Sequence, residues 1–115
     1  MAFKLKTSKT YTWPCTISEP KDGGGFDDFK VSIEFKMLSQ QRIDQIVKNE
    51  TQDDEDILSE VVSGWDGNQF TDESGATMPF NDENLRAVLS VPYVRNGLIK
   101  GFFASIAGKA VQRKN

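Results

Sequence analysis

Residues 29–37 read FKVSIEFKM, in which large apolar side chains alternate strictly with polar or charged ones. A period of two puts all the apolar side chains on one face of an extended chain, which is typical of a half-buried strand. This stretch therefore predicts a strand whose apolar face another part of the chain must cover.

A second alternating stretch precedes it and runs from Tyr11 to Ile17. Trp13 and Cys15 continue the apolar side of this alternation, which falls on odd-numbered residues. Pro14 indicates an edge position, because proline cannot donate a hydrogen bond to a neighbouring strand. The link between the two stretches reads EPKDGGG and is rich in turn-forming residues. Together they predict an antiparallel hairpin over about residues 10–37.

Helices are expected to cover this hairpin, and the first two follow it directly. Ser39 can cap a short helix over residues 40–48. Thr51 and Asp54 resemble a capping box that starts the second helix, and Gly64 is placed to end it. The apolar stripes consist of Ile43, Ile46 and Val47 in the first helix and of Ile57, Leu58, Val61 and Val62 in the second.

Two more helices follow residues 65–80, a segment with two turn signals that predicts an ordered loop or small hairpin. Asn81 can cap the third helix, and Pro92 starts a fourth that runs towards Gly108. The predicted fold is α+β, with an N-terminal antiparallel β-hairpin packed against a C-terminal set of four short-to-medium helices. One domain spans residues 1–115, with a helical part over about 39–110 and a frayed end at 111–115.

The charges are segregated along the 115 residues, although the net charge is only -3. Twelve of the seventeen acids lie in residues 44–86, whereas residues 95–115 carry five basic residues and no acid. An acidic centre argues against nucleic acid as a partner. The first residues lack the apolar run of a signal peptide and no stretch approaches membrane-spanning length, so we expect a cytoplasmic protein without a membrane partner.

Histidine is absent and Cys15 is the single cysteine. The chain therefore lacks the side chain most used in acid–base catalysis, and it cannot form an intramolecular disulfide or a cysteine-rich metal site. Cys15 lies on the apolar parity of its strand, which favours a small core residue over a nucleophile. We expect no enzyme, no cofactor and no metal.

Three polar segments have both a functional and a structural interpretation. The acids Asp53–Asp56 could attract a cation, but a helix start also favours carboxylates, and we favour the helix start. Residues 66–72 resemble a calcium loop only superficially, because Phe70 and Thr71 occupy positions that need a ligand and a turn glycine. The glycines 23–25 precede a strand rather than a helix, which indicates a flexible turn and not a phosphate site.

The fourth helix carries small residues at every fourth position, namely Gly97, Gly101 and Ser105. Each glycine lowers the stability of a helix by about 1 kcal/mol relative to alanine, so two glycines in this helix need an explanation. The stripe lets another backbone approach closely, either within the fold or in a second subunit or client helix. Apolar residues on more than one side of this helix favour external contacts; they are Tyr93, Ile99, Phe102 and Phe103.

Several short motifs resemble, in order and spacing, the tail assembly chaperones of long-tailed bacteriophages and prophages. They are FKML at 35–38, VVSGWDG at 61–67, DESG at 72–75, MPFNDENL at 78–85, VPYV at 91–94 and FF at 102–103. The resemblance implies a non-catalytic factor of the host cell cytoplasm that binds the tape measure protein and keeps its long apolar helical segments soluble. It also implies self-association, with many small subunits on one extended client.

Partner-binding residues are expected in the C-terminal part of the chain. They are Trp65, Phe80, Tyr93, Gly97, Ile99, Gly101, Phe102 and Phe103. For Trp65 and Phe80, a role as core residues that pin the loop remains an equal alternative. The resemblance further implies a frameshift-extended form of the chain as a partner, and residues 113–115 are compatible with codons that slip.

A different class of function is a minor structural subunit retained in the finished phage tail. Edge pairing through the strand that contains Pro14 would suit such a subunit. An enzyme would need a polar constellation that the sequence does not offer.

Overall fold

The computed structural model describes residues 2–5, 9–48 and 52–112, with side chains described as far as Ala107. The strands are β1 (Thr10–Pro20), β2 (Phe26–Lys36) and β3 (Val62–Trp65). The helices are α1 (Gln40–Lys48), α2 (Asp54–Val61), α3 (Asp82–Leu89) and α4 (Pro92–Gln112). The predicted α+β fold, with a hairpin followed by four helices, is confirmed. Helix α4 includes residues 111 and 112 of the segment predicted to fray, and residues 113–115 lie outside the described residues.

The sheet is antiparallel with strand order β1-β2-β3, so β1 is an edge strand. Cys15 pairs with Val31, and the hairpin closes through three glycines, all with positive φ, at 23–25. Ser32 donates its backbone N–H to the Gln69 side chain at 2.8 Å, beyond the end of β3. The N–H and C=O groups of even-numbered β2 residues therefore face away from β1. Even-numbered β1 residues pair with even-numbered β2 residues, as Pro14 does with Ser32, so their N–H and C=O groups face the free edge of the sheet. Pro14 thus loses no sheet hydrogen bond.

Strand β3 was not predicted, because its first residue completes the apolar stripe of α2. Val62 donates its N–H to the Leu58 carbonyl as in a last helical turn, yet its backbone is extended at φ -77° and ψ 121°. The chain then pairs with β2, with a bulge between Glu34 and Phe35. The predicted helix end at Gly64 was therefore wrong by three residues, since Gly64 lies within β3.

The core lies between one face of the sheet and the helices. Odd-numbered residues of the hairpin are buried towards its centre, including Ile33 and Phe35, whereas the even-numbered face is mostly exposed. Phe35 packs edgewise on Phe102 of α4 with ring centroids 5.4 Å apart. The alternation does not continue to the ends, since Phe29 and Met37 share the apolar parity but are exposed. The helices leave these two positions uncovered.

The helix starts show how short polar side chains satisfy free backbone N–H groups. The Ser39 hydroxyl accepts from the Arg42 N–H at 3.2 Å, and Asn81 accepts from the Asn84 N–H at 2.8 Å, as predicted. Thr51 of the predicted capping box lies outside the described residues. The cap of α2 is Asp53, which accepts from the Asp56 N–H at 2.9 Å. The acid run is thus the start of a helix.

Residues 65–80 form a small hairpin around one aspartate. Thr71 and Thr77 bridge, and the Asp72 carboxylate accepts from the Ser74 hydroxyl and from the Ser74 and Ala76 N–H groups. These hydrogen bonds lower the pKa of Asp72 below its ordinary value of 3.8, and the largest effect comes from the Ser74 hydroxyl. The Trp65 indole N–H donates to the Met78 carbonyl at 2.8 Å and fixes the base of this loop.

An ion pair joins α1 to α2. The Arg42 guanidinium donates from Nε to Glu60 at 2.7 Å and from a second nitrogen to the other carboxylate oxygen. This hydrogen bond from Arg42 holds the pKa of Glu60 below its ordinary value of 4.5. The carboxylate therefore contributes stability that is complete above pH 4.5 and is lost as the pH falls through the folded-state pKa.

We predict that Glu60→Gln lowers the free energy of unfolding at neutral pH, because the glutamine cannot balance the Arg42 charge. The difference from wild type should shrink steadily as the pH falls below 4.5. Urea unfolding at several pH values measures it, with the exposed loop substitution Glu73→Gln as control. A difference that stays constant down to acid pH would argue against this ion pair.

Among the described helices, none combines the length and apolar character that crossing a bilayer requires.

Candidate protein-binding surfaces

Helix α4 lies antiparallel to β1, and its small residues face that strand. Gly97 sits over Thr16 and Ile17, and Gly101 sits over Cys15. The Ser105 hydroxyl shares a 2.7 Å hydrogen bond with the Tyr11 hydroxyl. Of the two explanations for the small-residue stripe, close packing within the fold is therefore the one that the structure shows.

Both glycines are required by this close approach. A Cβ added at Gly97 would overlap the Thr16 carbonyl oxygen and lie 3.1 Å from the Thr16 carbonyl carbon and 3.2 Å from the Ile17 Cα. A Cβ at Gly101 would overlap the Cys15 sulfur instead. The first obstacle is backbone and the second is a side chain, and this difference decides how each site tolerates substitution.

Cys15 lies beneath α4 and is sealed from solvent. Burial raises the pKa of its thiol from 9.0 to about 12, so the reactive thiolate is scarce at neutral pH. The predicted core role of Cys15 agrees with this position.

We predict that Cys15 reacts with a thiol reagent such as DTNB at least about a thousandfold more slowly in the native protein than in urea, because α4 must first leave β1. Measurement of labelling rates with and without denaturant checks this. Labelling of the native protein as fast as that of free cysteine would mean that α4 is not docked on β1.

The predicted partner-binding residues divide into two groups. Trp65, Ile99 and Phe102 are core residues, and Gly97 and Gly101 face β1. Phe80, Tyr93 and Phe103 are partly buried; Phe80 packs edgewise against Trp65 and the Tyr93 hydroxyl donates to Glu19 at 3.1 Å. The core positions pack within the chain's own fold, and a role in partner binding stays a prediction for all eight.

An open apolar hollow lies where the C-terminal half of α4 passes the start of the hairpin. Its volume is about 320 Å³. None of its lining residues is charged; they are Tyr11, Trp13, Met37, Leu38, Ile43, Ser105 and Ile106. We call it the apolar hollow. Its size and chemistry suit a few apolar side chains of another protein.

A second depression follows the free edge of β1 beside α4, and we call it the edge groove. Its volume is about 600 Å³. Pro14, Thr16 and Ser18 line one side, and α4 lines the other from Tyr93 to Ala104. The lining mixes polar and apolar groups, so it differs from the apolar hollow in what it can hold.

Sequence reasoning did not single out the residues of the apolar hollow. Tyr11, Trp13 and Met37 were placed on the buried face of the hairpin, and Ile43 on the apolar stripe of α1. No signal in the sequence distinguishes these residues from the core residues that share their alternation.

The described residues contain no group of three or more cysteine, aspartate and glutamate side chains placed to hold a metal ion. Comparison of the chain with protein-family models, with curated proteins and with solved structures finds no match. The features of this chain that bear on its function are therefore its two surface depressions and its sequence motifs.

Proposed function

We propose that this chain is a non-catalytic tail assembly chaperone of a bacteriophage or prophage, which binds the tape measure protein in the host cell cytoplasm. The observation that carries the proposal is the apolar hollow. It leaves Met37 39% exposed beside partly buried Tyr11 and Trp13, next to a sheet that the chain's own helices do not fully cover. An apolar helix of a client can place its side chains there.

The chemistry of the hollow suits a client with many similar apolar segments. Tyr11 and Trp13 offer large rigid surfaces at low entropic cost, and Met37 is flexible and adapts to different side chains. Because no lining residue is charged, recognition does not depend on one polar partner. Such a surface binds many sequence-related segments weakly rather than one segment tightly.

Co-expression with the tape measure protein of the same phage or prophage tests the proposal. The chain should raise the soluble yield of that protein and should co-purify with it. An unchanged yield together with no co-purification would contradict the proposal. The same experiment with an unrelated soluble protein of similar size controls for a general effect on expression.

One observation favours the second candidate, a minor structural subunit of the tail. The free edge of β1 is eleven residues long and can pair with a strand of another chain. Mass spectrometry of purified particles separates the two candidates, because a structural subunit remains in the particle and an assembly chaperone does not.

Self-association and a frameshift-extended form of the chain belong to the same proposal. The gene sequence at residues 113–115 tests the second point, since codons that cannot slip would remove it for this protein. Self-association has a physical route in the structure.

A further inference from the structure

Residues 2–5 of the described chain carry apolar side chains that their own fold does not use. Phe3 is 88% exposed and Leu5 is 76% exposed, the highest values among the large apolar side chains that the structure describes. They alternate with Lys4, so an extended segment would place both on one face. We call residues 2–5 the arm. Exposed apolar residues in such a pattern point to a partner strand.

The edge groove offers what an added strand needs. The N–H groups of Thr16 and Ser18 and the C=O of Ser18 face the free edge of β1, and among the described residues no strand pairs with them there. The Thr16 C=O faces the same edge but lies against Gly97 of α4. Helix α4 forms a wall along this edge, where Tyr93 and Ala104 present apolar surface. Phe26, another exposed apolar side chain, lines the same groove. Strand addition combines backbone hydrogen bonds with side-chain contacts of this kind.

The arm of the same chain is too short to fill this groove. The Lys9 carbonyl accepts from the Met37 N–H at 2.9 Å, which holds residue 9 beside the end of β2. If the arm folded back along β1 of its own chain, residues at equal distances from the turn would pair with each other. With the turn just before Lys9, Ala2 would reach no further than about Trp13. The groove continues past this point to Ser18 and Phe26. An arm that fills this end of the groove therefore has to come from another molecule.

Charge favours a second copy of this chain as that molecule. Residues 2–9 carry three lysines and no acid. The groove ends at the hairpin turn, where residues 19–30 carry four acids, Glu19, Asp22, Asp27 and Asp28, against two lysines. In the part of the chain that the structure describes, Lys100 is the one charged residue that lines the groove. Even with it counted, a basic arm that approaches this end meets a net negative charge, which favours encounter.

We propose that copies of this chain associate by arm exchange, in which the arm of one copy adds as a strand to the β1 edge of another, in the edge groove. Each copy has one arm and one groove, so two copies can exchange arms reciprocally or several can form a closed ring. Phe3 and Leu5 pack against the α4 wall, and Lys4 faces the opposite side.

Size-exclusion chromatography with light scattering tests the arm. Wild type should self-associate, and Phe3→Ser/Leu5→Ser should be monomeric at the same concentration. These side chains are exposed in the single chain, so the variant should fold normally. Self-association that survives this double substitution would overturn the proposal.

A second variant tests the groove. Ser18→Pro removes an N–H that faces the free edge, whereas Ser18→Ala keeps it; both lose the side-chain hydrogen bond to Asp28. Only the proline variant should lose self-association. Mixing it with the arm variant should restore a complex, because one partner then has an intact groove and the other an intact arm. Equal behaviour of the two Ser18 variants, or no complex on mixing, would contradict the proposal.

A peptide of residues 1–9 provides a test that does not depend on the oligomer. Added to the arm variant, it should slow hydrogen exchange at the Thr16 and Ser18 amides and shift the emission of Trp13, which lines the groove. A peptide with serine at positions 3 and 5 is the control. Exchange that neither peptide slows would overturn the proposal even if wild type self-associates by another route.

Discussion

Replacing Gly97 with alanine should lower the free energy of unfolding by about 3 kcal/mol, at the upper end of typical overpacking costs. On an isolated helix the same change would stabilise by about 1 kcal/mol. Here the added methyl group overlaps the Thr16 carbonyl oxygen, which belongs to the backbone of β1 and cannot rotate away. The helix must move off the strand, and the core contacts of Leu98 and Phe102 weaken with it. Urea unfolding of the two proteins measures the loss.

Gly101 provides the matched control, because the obstacle there is the Cys15 sulfur. Gly101→Ala should cost about 2 kcal/mol, and Cys15→Ala in the same chain should recover about 1 kcal/mol of that loss. Cys15→Ala should not recover the loss at Gly97. Equal recovery at both glycines, or a stabilising effect of Gly97→Ala, would show that α4 does not lie on β1 in this way.

The second large effect concerns the client. Met37→Glu should weaken binding of the tape measure protein by about 2 kcal/mol, which corresponds to about 30-fold in affinity, because a carboxylate would lose its water against an apolar helix. The folded chain itself should tolerate the change, since Met37 is exposed in the single chain. The measurement is the fraction of client that co-purifies with each variant.

Val47→Glu is the control for this prediction. Val47 is apolar and 64% exposed, like Met37, but it does not line the apolar hollow. Its substitution should leave client binding unchanged. Loss of binding in both variants would indicate a general effect of negative charge rather than a site.

The fold was predictable where one signal dominated. The alternation at 29–37 and the parity of Cys15 indicated a hairpin with one buried face, and Ser39 and Asn81 marked two helix starts. Strand β3 was missed because Val62 fits the helical stripe of α2 and changes conformation only at that residue. The change from helix to strand at Val62 depends on its pairing with Phe35, which is far away in the sequence.

The surfaces were harder to predict, because exposure depends on how far one element covers another. Phe102 and Ile99 look like an excess of apolar residues on a helix, but the sheet and α2 and α3 enclose them. Met37 looks like the last buried residue of a strand, but it is 39% exposed in the folded chain. A sequence shows which residues of each element are apolar, but only the packing of the elements decides which of them stay exposed to a binding partner.

The most direct test of the chaperone proposal places a photo-crosslinking amino acid at position 37 or, as control, at position 47 during co-expression with the tape measure protein. If the apolar hollow holds the client, irradiation should join the two proteins from position 37 and not from position 47. Client captured equally from both positions, or from neither, would contradict the account.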